Sequence, residues 1–498
     1  MPETRLDRSR ERYRRLVEEL RAAIVSGRLT PGAALDSEHA LAARYGLGRN
    51  TVRRGLAALA DEGLVAAEAG RGRFVTAPSD PASRAQTLQL AVYYPSAQTA
   101  RLGLIVRAFE EANPLIRVRP LRLHPLGYPE AVRGLIESGA GPDLLVLMNG
   151  TLPELQPRAN FLDLGDFLAA RPGLAADLYP LPLRLFRHGG RPYALPFVFS
   201  PIVLAYDRAA LAAGGVPEPD SGWTRDDLLD AARRLTRRGA GAAGTERVER
   251  YGFHLQLGPN RWPALVYAGG AALATADGTR GQLSTPAGVA ALQFLVDLTH
   301  RHGVTGAFTG DLDGEALFVL RRAAMVVTSY YGADLHQFGS AGIDWDVALV
   351  PGAGGAPRRH LFQSTAVAVS ARSRHRESAL RFLEFVASPR IQRLIHLTGC
   401  SLPVRASVAA ARHQRDPRLH PGRLDVFREA MAEDGDAPPF YTSAAALAAH
   451  RELLLAFGGM EDVATAARRA DRSVEAVTRR LAGRAGAPAA VPLGSQDA

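Results

Sequence analysis

The first 76 residues of this 498-residue chain carry local structural signals in a fixed order. Apolar side chains recur at helical spacing over residues 13–24, and residues 37–45 predict a second helix. A tight Gly-Leu-Gly turn at 46–48 leads into a third helix from Arg49, and two short predicted strands then flank a glycine-rich tip. This order is typical of a winged helix-turn-helix, an α+β fold that places one helix in the major groove of DNA.

Two parts of this segment carry side chains suited to DNA. Arg49 and Arg53 lie four residues apart and therefore share one face of the third helix. The tip of the predicted hairpin holds an arginine between two glycines, which allows close approach to a phosphate or to the minor groove. A solvated surface is the more common explanation for any one of these arginines alone, and only their ordered combination favours DNA. The predicted DNA-binding residues are Arg49, Asn50, Thr51, Arg53, Arg54, Gly70, Arg71 and Gly72.

On these motifs, residues 1–77 resemble the GntR family of bacterial regulators. The resemblance implies DNA contacts at Arg49, at Arg53 and in the wing around Arg71. Three positions depart from the family pattern. His39 stands where the family usually has Arg, Gly48 where it favours Ser or Thr, and Asp36 where it favours Pro. The first departure weakens a phosphate contact or makes it pH-dependent, and the second removes a side-chain cap from the recognition helix.

Composition excludes several classes of chemistry. The 60 basic residues are all arginine, so no lysine can form the Schiff base that a fused aminotransferase needs, and no cofactor is expected. The single cysteine, Cys400, excludes an internal disulfide and a cysteine-based metal cluster, and the histidines show no metal-binding spacing. No nucleophile stands in a recognised motif with a base, so we expect no catalytic residue, no metal and no enzyme activity.

Charge and hydropathy bear on partners and location. The net charge of +10 is spread along the chain, so it permits contact with nucleic acid without locating it. The first 15 residues are arginine-rich and lack the apolar run of a secretory signal. Crossing a membrane takes about 18 consecutive apolar residues, and the sequence contains no such stretch. We therefore expect a cytoplasmic protein with no membrane partner.

From residue 86 onward, predicted strands alternate with predicted helices. Strands at 88–93 and 115–118 flank a helical stripe, and a helix at 129–137 precedes a buried strand at 143–147. This alternation predicts an α/β fold. The predicted domains are a winged helix at 1–77, a linker at 78–85, a sensor at 86–484 and a disordered tail at 485–498.

The sensor segment resembles the extracellular solute-binding proteins of ABC importers, the class that includes maltose-binding protein. The carrying motifs include residues 108–114, 141–143 and 204–211, in family order. The resemblance implies two α/β lobes joined by crossover segments, with a ligand in the cleft between them. By the same resemblance, lobe one comprises 86–199 and 364–422, lobe two comprises 200–363 and 423–484, and the hinges lie near 199–201 and 363–364.

The family's cleft positions can be carried over to this chain. Sugars suit aromatic platforms and short polar groups, and the matched loops hold Ser and Asn rather than charged groups, so the resemblance favours a neutral sugar. Core packing is the alternative for each aromatic residue, Trp262 included, whereas Trp223 and Trp345 are predicted to be structural. The predicted ligand-binding residues are Tyr94, Ser96, Asn149, Ser200, Pro259, Asn260, Tyr330, Tyr331, Ser364 and Tyr441.

These features together predict a ligand-responsive transcription regulator. Its partners would be a duplex DNA operator, a small-molecule effector and a second copy of the chain in a homodimer. Two alternatives stay open: a regulator whose degenerate cleft serves dimerisation or protein docking, and a transport-linked solute-binding protein. The sequence leaves open the identity of the effector, and whether that effector releases or tightens DNA.

Overall fold

A computed structural model describes most of the chain. The described residues are 5–25, 28–30, 32–61, 64–68, 72–76, 86–93, 97–124, 127–240, 246–306, 314–329, 338–355, 358–398, 402–411, 416, 418–434 and 441–486. The predicted linker and the wing-tip residues Gly70 and Arg71 lie outside this set. Two compact units are present, residues 1–87 with 108–118 and residues 88–107 with 119–498.

The first unit contains the predicted winged helix. Three helices and a hairpin follow one another as α1 (Arg5–Val25), α2 (Glu38–Tyr45), α3 (Arg49–Asp61), β1 (Val65–Glu68) and β2 (Gly72–Val75). The strands pair antiparallel. Helix α1 begins about two turns before the apolar stripe that predicted it.

Local chemistry explains where these helices start and stop. The Ser37 hydroxyl caps α2 by accepting the Ala40 N–H at 3.2 Å, and Gly46 ends that helix in the left-handed region at φ +61°. Helix α3 starts on backbone contacts, with the Gly48 carbonyl accepting the Thr51 and Val52 N–H groups. Its apolar face joins a core that includes Leu16, Leu20, Leu41, Val52, Leu56 and Leu59.

The segment assigned to lobe one alternates strands with helices, as predicted. Its first part comprises β3 (Gln86–Tyr93), α4 (Ala97–Ala112), β4 (Ile116–Leu123), α5 (Tyr128–Glu137) and β5 (Leu144–Met148). A 3-10 turn (Leu152–Leu155), short helices and a small hairpin follow: α6 (Pro157–Asn160), α7 (Gly165–Ala169), α8 (Pro172–Asp177), α9 (Pro180–Arg184), β6 (Arg187–His188) and β7 (Arg191–Pro192). The chain returns later with α15 (Arg376–Val386), α16 (Pro389–Leu397) and α17 (Ala406–Ala410).

The segment assigned to lobe two is richer in helices. Its elements are α10 (Arg208–Ala213), α11 (Arg225–Leu235), β9 (Arg237–Ala240), β10 (Glu246–Arg250), α12 (Trp262–Ala268), α13 (Pro286–His300), α14 (Gly314–Val319), β11 (Met325–Ser329), β12 (Trp345–Leu349), α18 (Asp425–Asp434), α19 (Ser443–Phe457) and α20 (Val463–Gly486). Helix α20 continues through Gly486, so residues 485–486 of the predicted tail are helical. No described helix has the length and apolar character that crossing a membrane requires.

Two long strands run through both lobes. They are β8 (Leu195–Asp207) and β13 (Phe362–Val369), and every residue of each is buried. The strands of the sheet follow the order β11-β8-β13-β5-β3-β4, and β12 also pairs with β8. The first half of β8 pairs with β13, and its second half pairs with β11 and β12. Gln363 lies opposite Ser200 in this register, so the structure sets the two predicted hinges side by side.

The three tryptophans of the chain all lie in the core. Trp262 is fully buried in the lobe-two cluster, where its ring meets Phe457 edge-on at 5.9 Å between centroids. Trp223 and Trp345 are 9 % and 4 % exposed, in agreement with the structural role predicted for them. For Trp262 the core-packing alternative therefore describes its surroundings better than ligand contact.

Candidate functional sites

Helix α3 presents its polar face to solvent. Arg49, Asn50, Arg53 and Arg54 are exposed, and Thr51 is half-buried. This division follows from helical periodicity, since the apolar residues that alternate with them fill the core of the winged helix. The surface so formed is contiguous and basic, and its dimensions suit the major groove.

An ion pair orients Arg53. Its Nε and Nη2 atoms donate to the two carboxylate oxygens of Glu38 at 3.3 and 3.0 Å, a forked arrangement that joins α3 to the first turn of α2. The hydrogen bond from Arg53 lowers the pKa of Glu38 and raises that of Arg53. Both groups therefore stay charged across the physiological range, and the guanidinium keeps a defined direction on an exposed face.

Arg54 is held differently. Its guanidinium carbon lies 5.2 Å from the centre of the Tyr13 ring, so Arg54 stacks on α1. At the wing, Gly72 adopts φ +103°, a conformation that favours glycine at the start of β2. The other two predicted wing residues, Gly70 and Arg71, lie outside the described residues.

The predicted cleft residues fall into three groups. The first lies outside the described residues and comprises Tyr94, Ser96, Tyr330 and Tyr331. The second is buried where β8 and β13 cross between the lobes and comprises Asn149, Ser200 and Ser364. The third is half-buried and comprises Pro259, Asn260 and Tyr441.

The buried group makes hydrogen bonds within the protein. Asn149 donates from Nδ2 to the Phe362 carbonyl at 2.8 Å and accepts the Ser364 N–H on Oδ1 at 2.8 Å. The Ser364 hydroxyl donates to the Val198 carbonyl at 2.9 Å, and the Ser200 hydroxyl to the Pro201 carbonyl at 2.7 Å. Asn149 and Ser364 thus tie the end of β5 and the two crossover strands together, whereas the Ser200 bond stays within β8.

The half-buried group lies near a loop of lobe one. The Tyr441 hydroxyl donates to the Pro259 carbonyl at 3.4 Å, and its ring lies so close to Gly150 that a Cβ there would be 3.1 Å from Cδ1 and Cε1. Burial raises the pKa of Tyr441, so the hydroxyl stays protonated at neutral pH. Tyr441 thus spans from the loop after β5 to the loop before α12, and we call this bridge the candidate cleft wall.

A buried carboxyl stands next to this wall and was missed in the sequence. Glu154 is 8 % exposed and accepts the Ala444 N–H at 3.1 Å, at the start of α19. Burial raises the pKa of Glu154 to about 7, so the group titrates near neutrality. The only signal in the sequence was an acid within the apolar run Leu-Pro-Glu-Leu, which carries no periodicity.

A buried ion pair directly follows Pro259 and Asn260. Arg261 Nη2 lies 3.3 Å from Glu315 Oε1, and the Thr328 hydroxyl donates to the same oxygen at 2.7 Å. Arg261 and Glu315 are 8 % and 3 % exposed. The sequence predicted an uncharged ligand site because the matched loops hold no charged groups. The structure adds a charged pair beside these loops, and the net charge of the pair is zero.

Titratable groups elsewhere in lobe two are arranged for structure. His254 is buried with its Nδ1 3.3 Å from the Thr305 hydroxyl, and burial lowers its pKa to about 4, so it is neutral at physiological pH. Within the described residues, no three His, Cys, Asp or Glu side chains lie close enough together to hold a metal ion.

Two sequence profiles match the chain. That of the bacterial extracellular solute-binding proteins covers residues 94–393, more than half of the chain. That of the gntR family of bacterial regulatory proteins covers residues 12–75.

Curated HTH-type transcriptional regulators match the N-terminal part of the chain. The transcriptional repressor NagR of Bacillus subtilis is 41 % identical over 66 residues, which are 13 % of this chain and 27 % of that protein. The matched segment thus spans about a quarter of the length of this relative.

Solved structures match the sensor. UgpB from Mycobacterium tuberculosis, in complex with glycerophosphocholine, aligns with a TM-score of 0.66 and 18 % identity over 80 % of this chain and 99 % of that one. The maltose/maltodextrin-binding domain MalE from Bdellovibrio bacteriovorus, bound to maltotriose, aligns with a TM-score of 0.65 and 18 % identity. The alignment covers 79 % of this chain and 100 % of that one. At this identity the likeness shows the fold alone.

Proposed function

Because this chain belongs to the bacterial extracellular solute-binding protein family and carries a gntR-type winged helix, we propose that it is a transcription regulator controlled by a small solute. The observation that carries the proposal is the union of the two modules, with exposed arginines on α3 in one and a solute-binding fold in the other. Solute binding would change the domain arrangement of a dimer and hence its affinity for a two-fold operator.

The DNA half of the proposal is tested with the full-length protein. An operator is first obtained by selection from a random duplex library, and Arg53→Ala is then titrated against it in a gel-shift assay. If Arg53 reads a base, affinity falls by about 1–3 kcal/mol. The control is Arg381→Ala, an exposed arginine that pairs with Glu377 at 3.2 Å on α15. Unchanged affinity of a folded Arg53→Ala protein would contradict the assignment of the recognition helix.

For the effector, we propose a neutral carbohydrate held between the lobes. The support is the aromatic and amide character of the candidate cleft residues, Tyr441 and Asn260 among them, and the zero net charge of the neighbouring Arg261–Glu315 pair. A charged ligand would need a buried partner to offset its desolvation. MalE, which shares the fold, is bound to maltotriose, whereas UgpB is in complex with glycerophosphocholine, so these two compounds define the test.

Calorimetry with maltotriose, a panel of monosaccharides and glycerophosphocholine decides between these chemistries. Tyr331→Ala should weaken carbohydrate binding by at least about 1 kcal/mol if this tyrosine stacks on the ligand. Tyr441→Phe is the companion variant, because it removes the bond to Pro259 and keeps the ring. Binding of glycerophosphocholine and of none of the sugars would overturn the carbohydrate proposal and leave the sensor intact. Normal binding by a Tyr331→Ala protein of lowered melting temperature would make that tyrosine a core residue.

A second candidate function is a cleft that binds no solute and serves protein docking or dimerisation. The observation that favours it is the internal use of Asn149, Ser200 and Ser364, whose side chains hydrogen-bond within the crossover strands. This reading expects no thermal shift with any member of the panel and a loss of dimer on mutation of the cleft. A shift of several degrees with one solute would exclude it.

The remaining properties follow from the regulatory role. We propose a cytoplasmic homodimer that binds double-stranded DNA and has no catalytic function. Light scattering measures the oligomeric state, and cell fractionation measures the location. Recovery outside the cytoplasm would favour the transport-linked alternative.

A further inference from the structure

Helix α1 extends well beyond the part that packs into the core. Leu16 and Leu20 are buried in the core of the winged helix, but the helix continues toward the N-terminus as far as Arg5. Residues 5–15 hold six arginines against two acidic residues. The extension is therefore strongly basic, and the apolar periodicity that predicts the helix does not require it.

The arginines of this extension fall on two faces. Positions 5, 8, 12 and 15 are spaced by three, four and three residues, so they form one continuous stripe along the helix. We call these four positions the arginine stripe. Positions 10 and 14 lie on the other side of α1, because each is roughly half a turn away from the stripe.

The stripe follows the corner of the helix-turn-helix. Glu19, which continues the same face, accepts the Tyr45 hydroxyl at 2.8 Å, and the Arg15 guanidinium donates to Glu19 at 2.7 Å. One turn toward the N-terminus, Arg12 Nη1 donates to the Gly46 carbonyl at 3.1 Å. The C-terminal half of the stripe, Arg12 and Arg15, thus lies at the end of α2 and the turn that precedes the recognition helix.

This contact places the start of the extension next to the helix-turn-helix. Positions 5 and 8 lie up to seven residues beyond Arg12, and seven residues of helix span about 10 Å. The turn at Gly46 leads into α3, and in helix-turn-helix proteins the first residues of the recognition helix lie nearest to the bases, with phosphates along both edges of the groove. The extension therefore begins beside the turn that leads into the recognition helix.

We propose that the arginine stripe is an additional DNA-binding surface, in which Arg5 and Arg8 contact backbone phosphates beside the groove that α3 enters. The proposal rests on the proposed DNA-binding function and adds to it a sequence-independent contact. Arg12 acts as a positioning residue, because its bond to the turn holds the extension in register with α3. Charge complementarity selects the partner, since duplex DNA presents a regular row of phosphates.

The test is the salt dependence of binding to a non-operator duplex of 30 base pairs, measured with the full-length protein. Each lost phosphate contact reduces the slope of log Kd against log salt by about 0.9. Arg5→Ala/Arg8→Ala should reduce the slope by about 1.8, so that its affinity falls roughly tenfold less than that of the wild type between 50 and 200 mM salt. The ratio of operator to non-operator affinity should not change.

Arg10→Ala/Arg14→Ala is the matched control, because it removes the same charge from the other side of the same helix at the same helix propensity. The proposal expects this control to keep the wild-type slope. Equal slopes for the two double variants would overturn it, whether both fall or neither does. Absence of duplex binding by the wild type would instead overturn the proposed function, so the two failures are distinguishable. Circular dichroism checks that both variants retain α1.

Discussion

Two arginine–glutamate pairs, one in the winged helix and one in lobe two, are built from the same groups in opposite surroundings. The Arg53–Glu38 pair is 3.0 Å long, and its side chains are 56 % and 25 % exposed. The Arg261–Glu315 pair is 3.3 Å long, and its side chains are 9 % and 3 % exposed. Water can replace either partner of the first pair and neither partner of the second.

The difference indicates what each pair can do. An exposed guanidinium can exchange its carboxylate for a phosphate at little cost, which suits the DNA contact proposed for Arg53. A buried pair cannot be opened without leaving an uncompensated charge, so it fixes the loop that it joins. The chain thus has an exchangeable contact on the helix proposed to face DNA and a rigid one beside its candidate cleft.

Breaking the buried pair should have the largest effect. Glu315→Gln leaves Arg261 without a counter-charge, and we expect the free energy of unfolding to fall by about 3–5 kcal/mol. The measurement is urea unfolding followed by tryptophan fluorescence, which reports on the sensor alone because all three tryptophans, Trp223, Trp262 and Trp345, lie there. A loss below about 1 kcal/mol would show that water reaches the pair, and the contrast between the two pairs would disappear.

Glu154 sharpens the comparison because it is a buried acid whose hydrogen bonds with the described residues include no cationic partner. Its pKa of about 7 in the folded state lies above the ordinary value of 4.5, so its contribution to stability is full at low pH and is lost as the pH rises through 7. Glu154→Gln should therefore match the wild type near pH 4.5 and exceed its stability at pH 8 by about 3 kcal/mol.

The same fluorescence measurement at several pH values provides this test. Glu377→Gln serves as the control, since Glu377 is a surface carboxylate paired with Arg381. The control should reproduce the wild-type pH dependence. An unchanged pH profile for Glu154→Gln would mean that the Glu154 carboxyl is hydrated.

Gly150 tests how tightly the cleft wall is fixed. The residue has φ +87°, and a Cβ on it would lie 2.9 Å from the Ser443 nitrogen. Gly150→Ala should destabilise the sensor by about 2 kcal/mol, from backbone strain and from the close contact. Gly139→Ala isolates the strain, because Gly139 has φ +76° with nothing within 4 Å of its Cβ position, and should cost about 1 kcal/mol. Equal losses for the two variants would show that the wall moves away from an added methyl group.

The smallest effect is expected at the exposed pair. Glu38→Gln should change the thermal unfolding of the winged helix, followed by circular dichroism, by less than about 0.5 kcal/mol, because solvent compensates the lost charge. It should also retain operator binding, since Arg53 is kept. A large loss of stability would place this pair in the same class as Arg261–Glu315.

The sequence predicted the winged helix well because its signals are local. The periodicity of Val52, Leu56 and Leu59 places the polar residues of α3 outside without any knowledge of tertiary structure. The strand–helix alternation of the sensor was predicted for the same reason, and α4 and α5 follow it. Fold-level resemblance supplied the crossover positions, which local patterns could not.

The candidate cleft was harder to predict because it is assembled from distant segments. Asn149 and Ser364 are 215 residues apart in the chain, and the Asn149 amide that the resemblance offered to a ligand accepts the Ser364 N–H. Glu154 was missed because burial of a single acid depends on what α19 brings to it. The predicted contacts Tyr94, Ser96, Tyr330 and Tyr331 lie outside the described residues and stay predictions.

Strand β8 also sets an order of events during synthesis on the ribosome. Its partner in lobe one, β13, ends at Val369, whereas the winged-helix hairpin ends at Val75. At about 5–20 residues per second, translation of the intervening chain from Val75 to Val369 takes roughly 15–60 s. During that interval a nascent chain carries a finished winged helix ahead of an unfinished sensor, so the two modules mature at different times.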